Sequence, residues 1–145
     1  FENFLIPEVR NRILKGKLAS PVNKNKIQQL ISTTDIGKIS SDIFMNKDRY
    51  LGKTITIGSE EMDMQQVATT FSQVLGKEIK YQKLPLFIVR LIMGKNLYKM
   101  FDWINKNDPV FIKDLETFKK EYPGLTRLKE WVKLNFPAAA ENNDS

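Results

Sequence analysis

The side chains that could carry acid–base chemistry in this sequence are carboxylates, tyrosines, lysines and hydroxyls, because its 145 residues include no histidine and no cysteine. The missing cysteines exclude disulfides, thiolate nucleophiles and cysteine-type zinc sites. The missing histidines remove the commonest general base and the commonest transition-metal ligand. Carboxylates cluster at Glu60, Glu61 and Asp63, and again at Asp114 and Glu116. We interpret the first cluster as helix capping rather than catalysis, since acids complement the positive end of a helix.

Neither the tyrosines nor the glycines form a recognisable redox or phosphate-binding motif. No tyrosine has a lysine four positions later, the spacing that would place both on one helix face. The tyrosines are Tyr50, Tyr81, Tyr98 and Tyr122. The seven glycines are too widely spaced for a glycine-rich phosphate loop or a Walker motif. We therefore expect these residues alone to be catalytically inactive and to bind no NAD(P).

The net charge of +6 is concentrated in two runs that contain no acid. The first run comprises Arg10, Arg12, Lys15, Lys17, Lys24 and Lys26, and the second comprises Lys80, Lys83, Arg90, Lys95 and Lys99. A basic field attracts nucleic acid and other anions. The first run lacks the interleaved aromatic residues of a single-strand-binding surface, and neither contains a zinc-finger signature. We interpret both runs as solvated faces and expect no direct binding of nucleic acid.

The composition fits one folded domain without a membrane partner. No segment reaches the roughly 18 apolar residues that span a bilayer, and the most apolar stretch, residues 84–93, is interrupted by Arg90. The absence of cysteine fits the cytoplasm or the nucleus. The sequence begins with Phe1 rather than Met, so we expect an upstream segment.

Hydrophobic spacing predicts the elements that must position any site in the first half of the chain. It predicts a helix over residues 1–14 with Pro7 near its start, and short extended segments at 18–22 and 26–33. Asp35 is predicted to be the N-cap of a helix that ends near Asn46. A β-branched stretch predicts a strand over residues 54–57.

In the second half, Asp63 and Gln66 predict a capping box for a helix that ends at Gly76. Residues 78–83 alternate as a half-exposed strand does. Residues 86–104 are predicted to form one long helix, weakened in the middle by Gly94. Its apolar circumference indicates packing on more than one side, or against a surface outside this chain. The remaining predictions are a loop from Asp108–Pro109, a helix over 113–122, a final helix capped by Thr126, and a disordered tail over 137–145.

Several of these motifs follow one another in a familiar order. They are Asp35-Ile36-Gly37, the stretch from Tyr50 to Gly58, the helix ending Leu75-Gly76-Lys77, and the strand that leads to Pro85. Together with the opening Phe1-Glu2-Asn3-Phe4, they resemble the C-terminal half of the NmrA-like family, atypical members of the short-chain dehydrogenase superfamily. The chain departs from the family at Met62–Asp63, where Leu-Thr is frequent, and at Gln66, where Glu is frequent, and both changes keep the capping chemistry.

The resemblance implies an α/β fold in which residues 1–136 are the C-terminal substrate or partner lobe of an NAD(P)-binding Rossmann-type protein. Seen alone, this lobe would be a helix-rich mixed α/β piece with a few short strands. The full-length protein is then expected to bind NADP or NAD. It would act either as an NAD(P)H-dependent reductase on a small molecule or as a redox-sensing regulator with a protein partner. The alternative is an independent basic module that binds an acidic protein or nucleic acid.

The resemblance also places the opening segment directly after a central strand, at the border of the cofactor cleft. Asn3 and Phe4 are therefore the candidate cofactor-binding residues, with Glu2 beside them, because ligands of open α/β sheets lie beyond the carboxyl ends of strands. An asparagine offers a donor and an acceptor to a carboxamide, and a phenylalanine can wall off a nicotinamide ring. In the alternative interpretation, Asn3 caps the following helix and Phe4 is its first core contact. We also expect Phe1 to Phe4 and the apolar faces of residues 86–104 to be partly exposed.

Overall fold

The computed structural model describes residues 1–107 and 110–137, which form a helix-rich mixed α/β fold. A 3₁₀ helix at Glu2–Leu5 precedes the regular elements. The helices are α1 (Pro7–Leu14), α2 (Thr33–Met45), α3 (Lys47–Tyr50), α4 (Met64–Leu75), α5 (Leu86–Ile92), α6 (Lys95–Lys106), α7 (Leu115–Glu121) and α8 (Leu128–Asn135). The strands are β1 (Lys17–Ser20), β2 (Gln28–Leu30), β3 (Glu60–Met62) and β4 (Lys80–Lys83). The expected helix-rich piece with a few short strands is confirmed.

The strands pair as two small sheets. β1 and β4 are parallel, with Lys17 opposite Lys80 and Ser20 opposite Lys83. Parallel neighbours need a long crossover connection, and the chain between them supplies one that contains α2, α3 and α4. Strands β2 and β3 are antiparallel. Because β1 and β4 run in the same direction, both carboxyl ends lie at one edge of their sheet.

The larger hydrophobic core lies where α4 packs against α8. Helix α4 buries residues spaced three and four apart, as an amphipathic helix does; they are Met64, Val67, Ala68 and Phe71. The Phe71 ring meets the Phe136 ring edge-on at 5.1 Å between centroids, an arrangement that aromatic quadrupoles favour. A smaller core joins α2 to α7 through Ile39, Ile112, Leu115 and Phe118.

The predicted ends of α4 are confirmed. Asp63 Oδ1 accepts from the Gln66 N–H at 2.7 Å, and Gln66 Oε1 accepts from the Asp63 N–H at 2.9 Å, which is a complete capping box. Gly76 ends the helix in the left-handed region at φ 64°, which a residue without Cβ adopts easily. The interpretation of the acidic cluster as capping also extends to Glu60, whose Oε2 accepts from the Leu128 N–H at 2.6 Å and so caps α8.

Two predicted caps are wrong. Ser32, rather than Asp35, caps α2, because its hydroxyl accepts from the Asp35 N–H at 3.1 Å. Asp35 lies in the first turn, fully buried, where its Oδ2 accepts from the Thr126 N–H at 2.7 Å. Thr126 does not cap α8, because the helix begins after Arg127. The Glu60 carboxylate accepts from the first N–H of the helix, that of Leu128. The cap of α2 is therefore a neighbouring serine, whereas a carboxylate distant in sequence meets the first N–H of α8.

Three predicted elements also differ from the structure. Residues 54–57 form no strand, because the partner strand β2 pairs with Glu60–Met62 instead. The helix predicted over residues 1–14 is divided at Ile6, which is extended at ψ 126° because a residue before proline avoids the helical region. The helix predicted over 86–104 is divided into α5 and α6 by Gly94, whose φ of 90° no helix contains.

The predicted exposure is confirmed for α5 and wrong for Phe1. Phe87, Leu91 and Ile92 are 64%, 80% and 78% exposed, whereas Phe1 is buried with its ring 5.7 Å from that of Trp131. Among the described residues, no helix is both long and apolar enough to cross a membrane. The loop predicted from Asp108–Pro109 begins on residues outside the described ranges, as does the tail predicted over 137–145, except for Pro137.

Candidate functional site

The 3₁₀ helix at Glu2–Leu5 holds all three residues predicted to contact a cofactor. Asn3 is exposed. Its side chain caps no helix, because α1 begins after Ile6 and neither α1 nor the 3₁₀ helix has a side-chain cap. The capping alternative for Asn3 is therefore wrong. An exposed amide with a free donor and acceptor is what the cofactor hypothesis requires, and binding itself stays a prediction.

Phe4 packs into the larger core instead of standing free. It is half-buried, and its ring meets the Phe71 ring edge-on at 5.2 Å, with Trp131 6.3 Å away. Much of the Phe4 side chain is therefore a core contact, as the alternative interpretation expected. The rest of the Phe4 surface remains exposed.

Glu2 joins three elements through its carboxylate. Oε1 accepts from the Trp131 indole N–H at 3.0 Å, and Oε2 accepts from the backbone N–H of Thr33 at 3.0 Å. Burial by itself raises the pKa of Glu2, but the hydrogen bonds it accepts, first from Thr33, outweigh burial and lower the pKa below its ordinary value. Glu2 thus places a negative charge at the start of α2 and holds the 3₁₀ helix against α2 and α8.

A concave surface that the sequence predictions missed lies at the carboxyl edge of β1 and β4. It is an open cleft of about 670 Å³ lined by Asn23, Lys24, Asn25, Lys26, Tyr81 and Lys83. The signal for it was the polar turn Asn23-Lys24-Asn25 between two extended segments. That signal alone does not show that Lys83, sixty positions later, lies beside the turn.

A second groove, between α2, α3 and α7, contains a hydroxyl–carboxylate cluster. The Tyr50 and Tyr122 hydroxyls are 2.8 Å apart, and both donate to Asp42 Oδ2, at 3.1 and 3.2 Å. Burial, with hydrogen bonds to Tyr50 and Asp42, raises the pKa of Tyr122 well above its ordinary value. The hydrogen bonds of this cluster join α2, α3 and the end of α7.

The sequence comparisons identify the family. The model of the NmrA-like family matches residues 1–132, which is nearly the whole chain. The chain belongs to the NmrA-like family. No curated protein sequence matches this NmrA-like chain.

Solved structures share its fold at low sequence identity. A nucleoside-diphosphate-sugar epimerase from Staphylococcus aureus is 21% identical with a TM-score of 0.74, over 92% of this chain and 49% of that one. The triphenylmethane reductase of Citrobacter sp., complexed with NADP(H), is 17% identical with a TM-score of 0.71, over 92% and 49%. A further structure of that reductase gives 18% and 0.68, over 92% and 48%. This chain therefore spans about half the length of these proteins.

Proposed function

We propose that residues 1–136 of this NmrA-like chain form the C-terminal lobe of an NAD(P)(H)-binding protein. In the full-length protein, this lobe would close the cofactor cleft. The proposal is supported by the fold that it shares with about half of a reductase complexed with NADP(H). The glycine-rich loop that would cradle the pyrophosphate is missing from this sequence. In the proposal, that loop belongs to the other half of the full-length protein, and this lobe contacts the substrate or a protein partner.

The observation that carries the proposal is the uncovered apolar face of α5. Phe87, Leu91 and Ile92 lie largely in solvent, although the helices around them bury side chains of the same kind. Contiguous exposed apolar side chains on a folded domain usually mark a contact surface. We propose that this face packs against the dinucleotide-binding half.

This lobe contributes binding and orientation to the proposed reaction. A bound NAD(P)H would supply the hydride itself. Asn3 would hydrogen-bond the nicotinamide carboxamide or a substrate carbonyl. The exposed part of Phe4 would exclude water, and Glu2 would hold the 3₁₀ helix in place through Thr33 and Trp131.

A titration with NADPH tests the cofactor role. We expect saturable fluorescence for the full-length protein and a flat response for this chain alone, once a cooperative melt has shown that the chain is folded. In the full-length protein, Asn3→Ala should weaken the affinity by roughly two- to tenfold, the effect of one hydrogen bond. The matched control is Asn11→Ala, an exposed asparagine on α1. Saturable binding by this chain alone, or equal affinities of the two variants, would contradict the proposal.

A second measurement separates the two activities of the proposed full-length protein, whose place of action we take to be the cytoplasm or the nucleus. A reductase oxidises NADPH when an electron acceptor such as a quinone or a dye is added. A redox-sensing regulator binds a protein partner with an affinity that depends on whether NADP⁺ or NADPH is bound. Turnover without such a partner supports the reductase, and redox-dependent partner binding without turnover supports the regulator.

A further inference from the structure

The two basic runs of the sequence meet at one place in the fold. Lys24 and Lys26 come from the first run and Lys83 from the second, and all three line the cleft at the carboxyl edge of β1 and β4. No acidic side chain lines this cleft among residues 1–107 and 110–137. Lys24 and Lys83 place two ammonium groups on one concave surface, and together they produce a local positive potential that solvated faces of separate helices would not.

Side chains from two elements, α6 and β4, hold the segment that leads into the turn of the cleft. Asn105 of α6 accepts from the Asn23 N–H at 2.6 Å and donates to the Pro21 carbonyl at 2.9 Å. The Tyr81 hydroxyl donates to the carbonyls of Ser20 and Val22. Burial raises the pKa of Tyr81, only partly opposed by its hydrogen bond to Ser20, so the hydroxyl stays a donor.

A hydrogen bond holds the Lys83 side chain against the turn at Asn23–Asn25. Its Nζ donates to the side-chain carbonyl Oδ1 of Asn23. An ammonium group has three protons, so two remain for a ligand. Because Asn23 uses its Oδ1 to hold Lys83, its amide nitrogen also remains a donor. Lys24 is exposed on the same turn.

We propose that this cleft binds a small molecule through a phosphate group, with Lys24 and Lys83 as the charged contacts and Asn23 as the residue that orients Lys83. The volume of about 670 Å³ lies within the range of small-molecule sites. The position fits as well, because open α/β sheets bind ligands beyond the carboxyl ends of parallel strands. A multiply charged phosphate complements several ammonium groups better than a singly charged carboxylate does.

Different variants test this cleft and the segment proposed to contact the dinucleotide. None of its lining residues belongs to the 3₁₀ helix or to the exposed face of α5. The failure of one proposal would therefore leave the other standing.

Calorimetric titration of the full-length protein with inorganic pyrophosphate, at constant ionic strength, tests the site. Lys83→Gln keeps a donor for Asn23 but removes the charge, and we expect it to weaken pyrophosphate binding by roughly tenfold or more, as losing a charged hydrogen-bond partner does. Lys24→Gln should act in the same direction. The control Lys129→Gln removes an exposed charge from α8, outside the cleft, and should change the affinity less than roughly twofold.

Amide chemical shifts locate the binding independently of affinity. Pyrophosphate should shift the signals of residues 23–26 and 83, and acetate at equal charge concentration should not. Three outcomes would overturn the proposal: no saturable binding of pyrophosphate, equal weakening by Lys129→Gln, or equal responses to acetate and pyrophosphate. In each variant, an unchanged melting temperature excludes unfolding as the cause of lost binding.

Discussion

Helices α4 and α5 are both rich in large apolar residues, yet they meet opposite environments. Helix α4 places Val67, Ala68 and Phe71 in the core against α8. Helix α5 buries only Val89 and leaves Phe87 and Leu91 largely in solvent. What distinguishes them is the partner surface: α4 meets α8 within this chain, whereas nothing among the described residues covers the outer face of α5.

The hairpin of α5 and α6 is nevertheless attached to the domain. Phe101 and Ile104 of α6 pack against the larger core, and Asn105 bonds the turn after β1. The inner side of the hairpin thus contributes to the fold, and the outer side is available for contact. Residues on the two sides are therefore expected to respond differently to the same kind of substitution.

The largest expected effect is at the centre of the core. Phe71→Ala removes a ring that is fully buried between Phe4 and Phe136 and should lower the free energy of unfolding by about 3–5 kcal/mol. Chemical denaturation monitored by circular dichroism measures this. A loss below about 1 kcal/mol would show that the α4–α8 contact is not the main core.

The next largest effect is expected at the buried carboxylate of Asp35. Burial by itself raises the pKa of Asp35, but hydrogen bonds, first from Thr126 and then from Ser32 and Lys38, outweigh it and lower the pKa below the ordinary 3.8. A lowered folded-state pKa stabilises the fold above 3.8, and this stabilisation disappears as the pH falls through the folded value.

Asp35→Ala should cost about 1.5–3 kcal/mol at neutral pH, because it removes charged hydrogen bonds in a buried position. It should also flatten the acid limb of the stability–pH curve, measured by urea denaturation between neutral and acidic pH. An acid limb identical to that of the wild type would show that Asp35 does not contribute to it.

A smaller effect is expected at the helix starts. Helix α4 has a complete capping box, whereas α5 begins after Pro85 with no side-chain cap. Asp63→Ala removes the side-chain acceptor for the Gln66 N–H but keeps the backbone N–H that donates to Gln66 Oε1, and it should cost about 1 kcal/mol. The melting temperature measures the loss, and Gln65→Ala, at a neighbouring exposed position of the same helix, is the control.

The smallest stability effect is expected on the outer face of α5. Leu91→Ser should change the free energy of unfolding of this chain by less than about 0.5 kcal/mol, because Leu91 is 80% exposed and surface substitutions rarely exceed that. It should reduce the binding of a dye that reports exposed apolar surface. In the full-length protein, where we propose that this face is covered, the same substitution should destabilise clearly. An equal change in the free energy of unfolding in this chain and in the full-length protein would contradict the proposal that the outer face of α5 is covered.

The sequence by itself determined the features that depend on neighbouring residues. The capping box of Asp63 and Gln66, the stop at Gly76 and the end of α2 at Asn46 were predictable because their interactions span only a few residues. The family resemblance was likewise carried by the order of short motifs. For the candidate site, the sequence placed Glu2, Asn3 and Phe4 in one segment, but it did not distinguish the exposed Asn3 from the packed Phe4 and the bridging Glu2.

Tertiary structure decided the features in which distant residues meet. Asp35 receives its hydrogen bond from Thr126, 91 positions away, and Glu60 caps α8 at Leu128, 68 positions away. The strand predicted at 54–57 did not form because β2 took its partner from Glu60–Met62. The cleft exists because the parallel pairing of β1 with β4 brings Lys83 to the turn at Asn23. Local propensity contains no information about these pairs, since their free energy arises only when the chain has closed the loops between them.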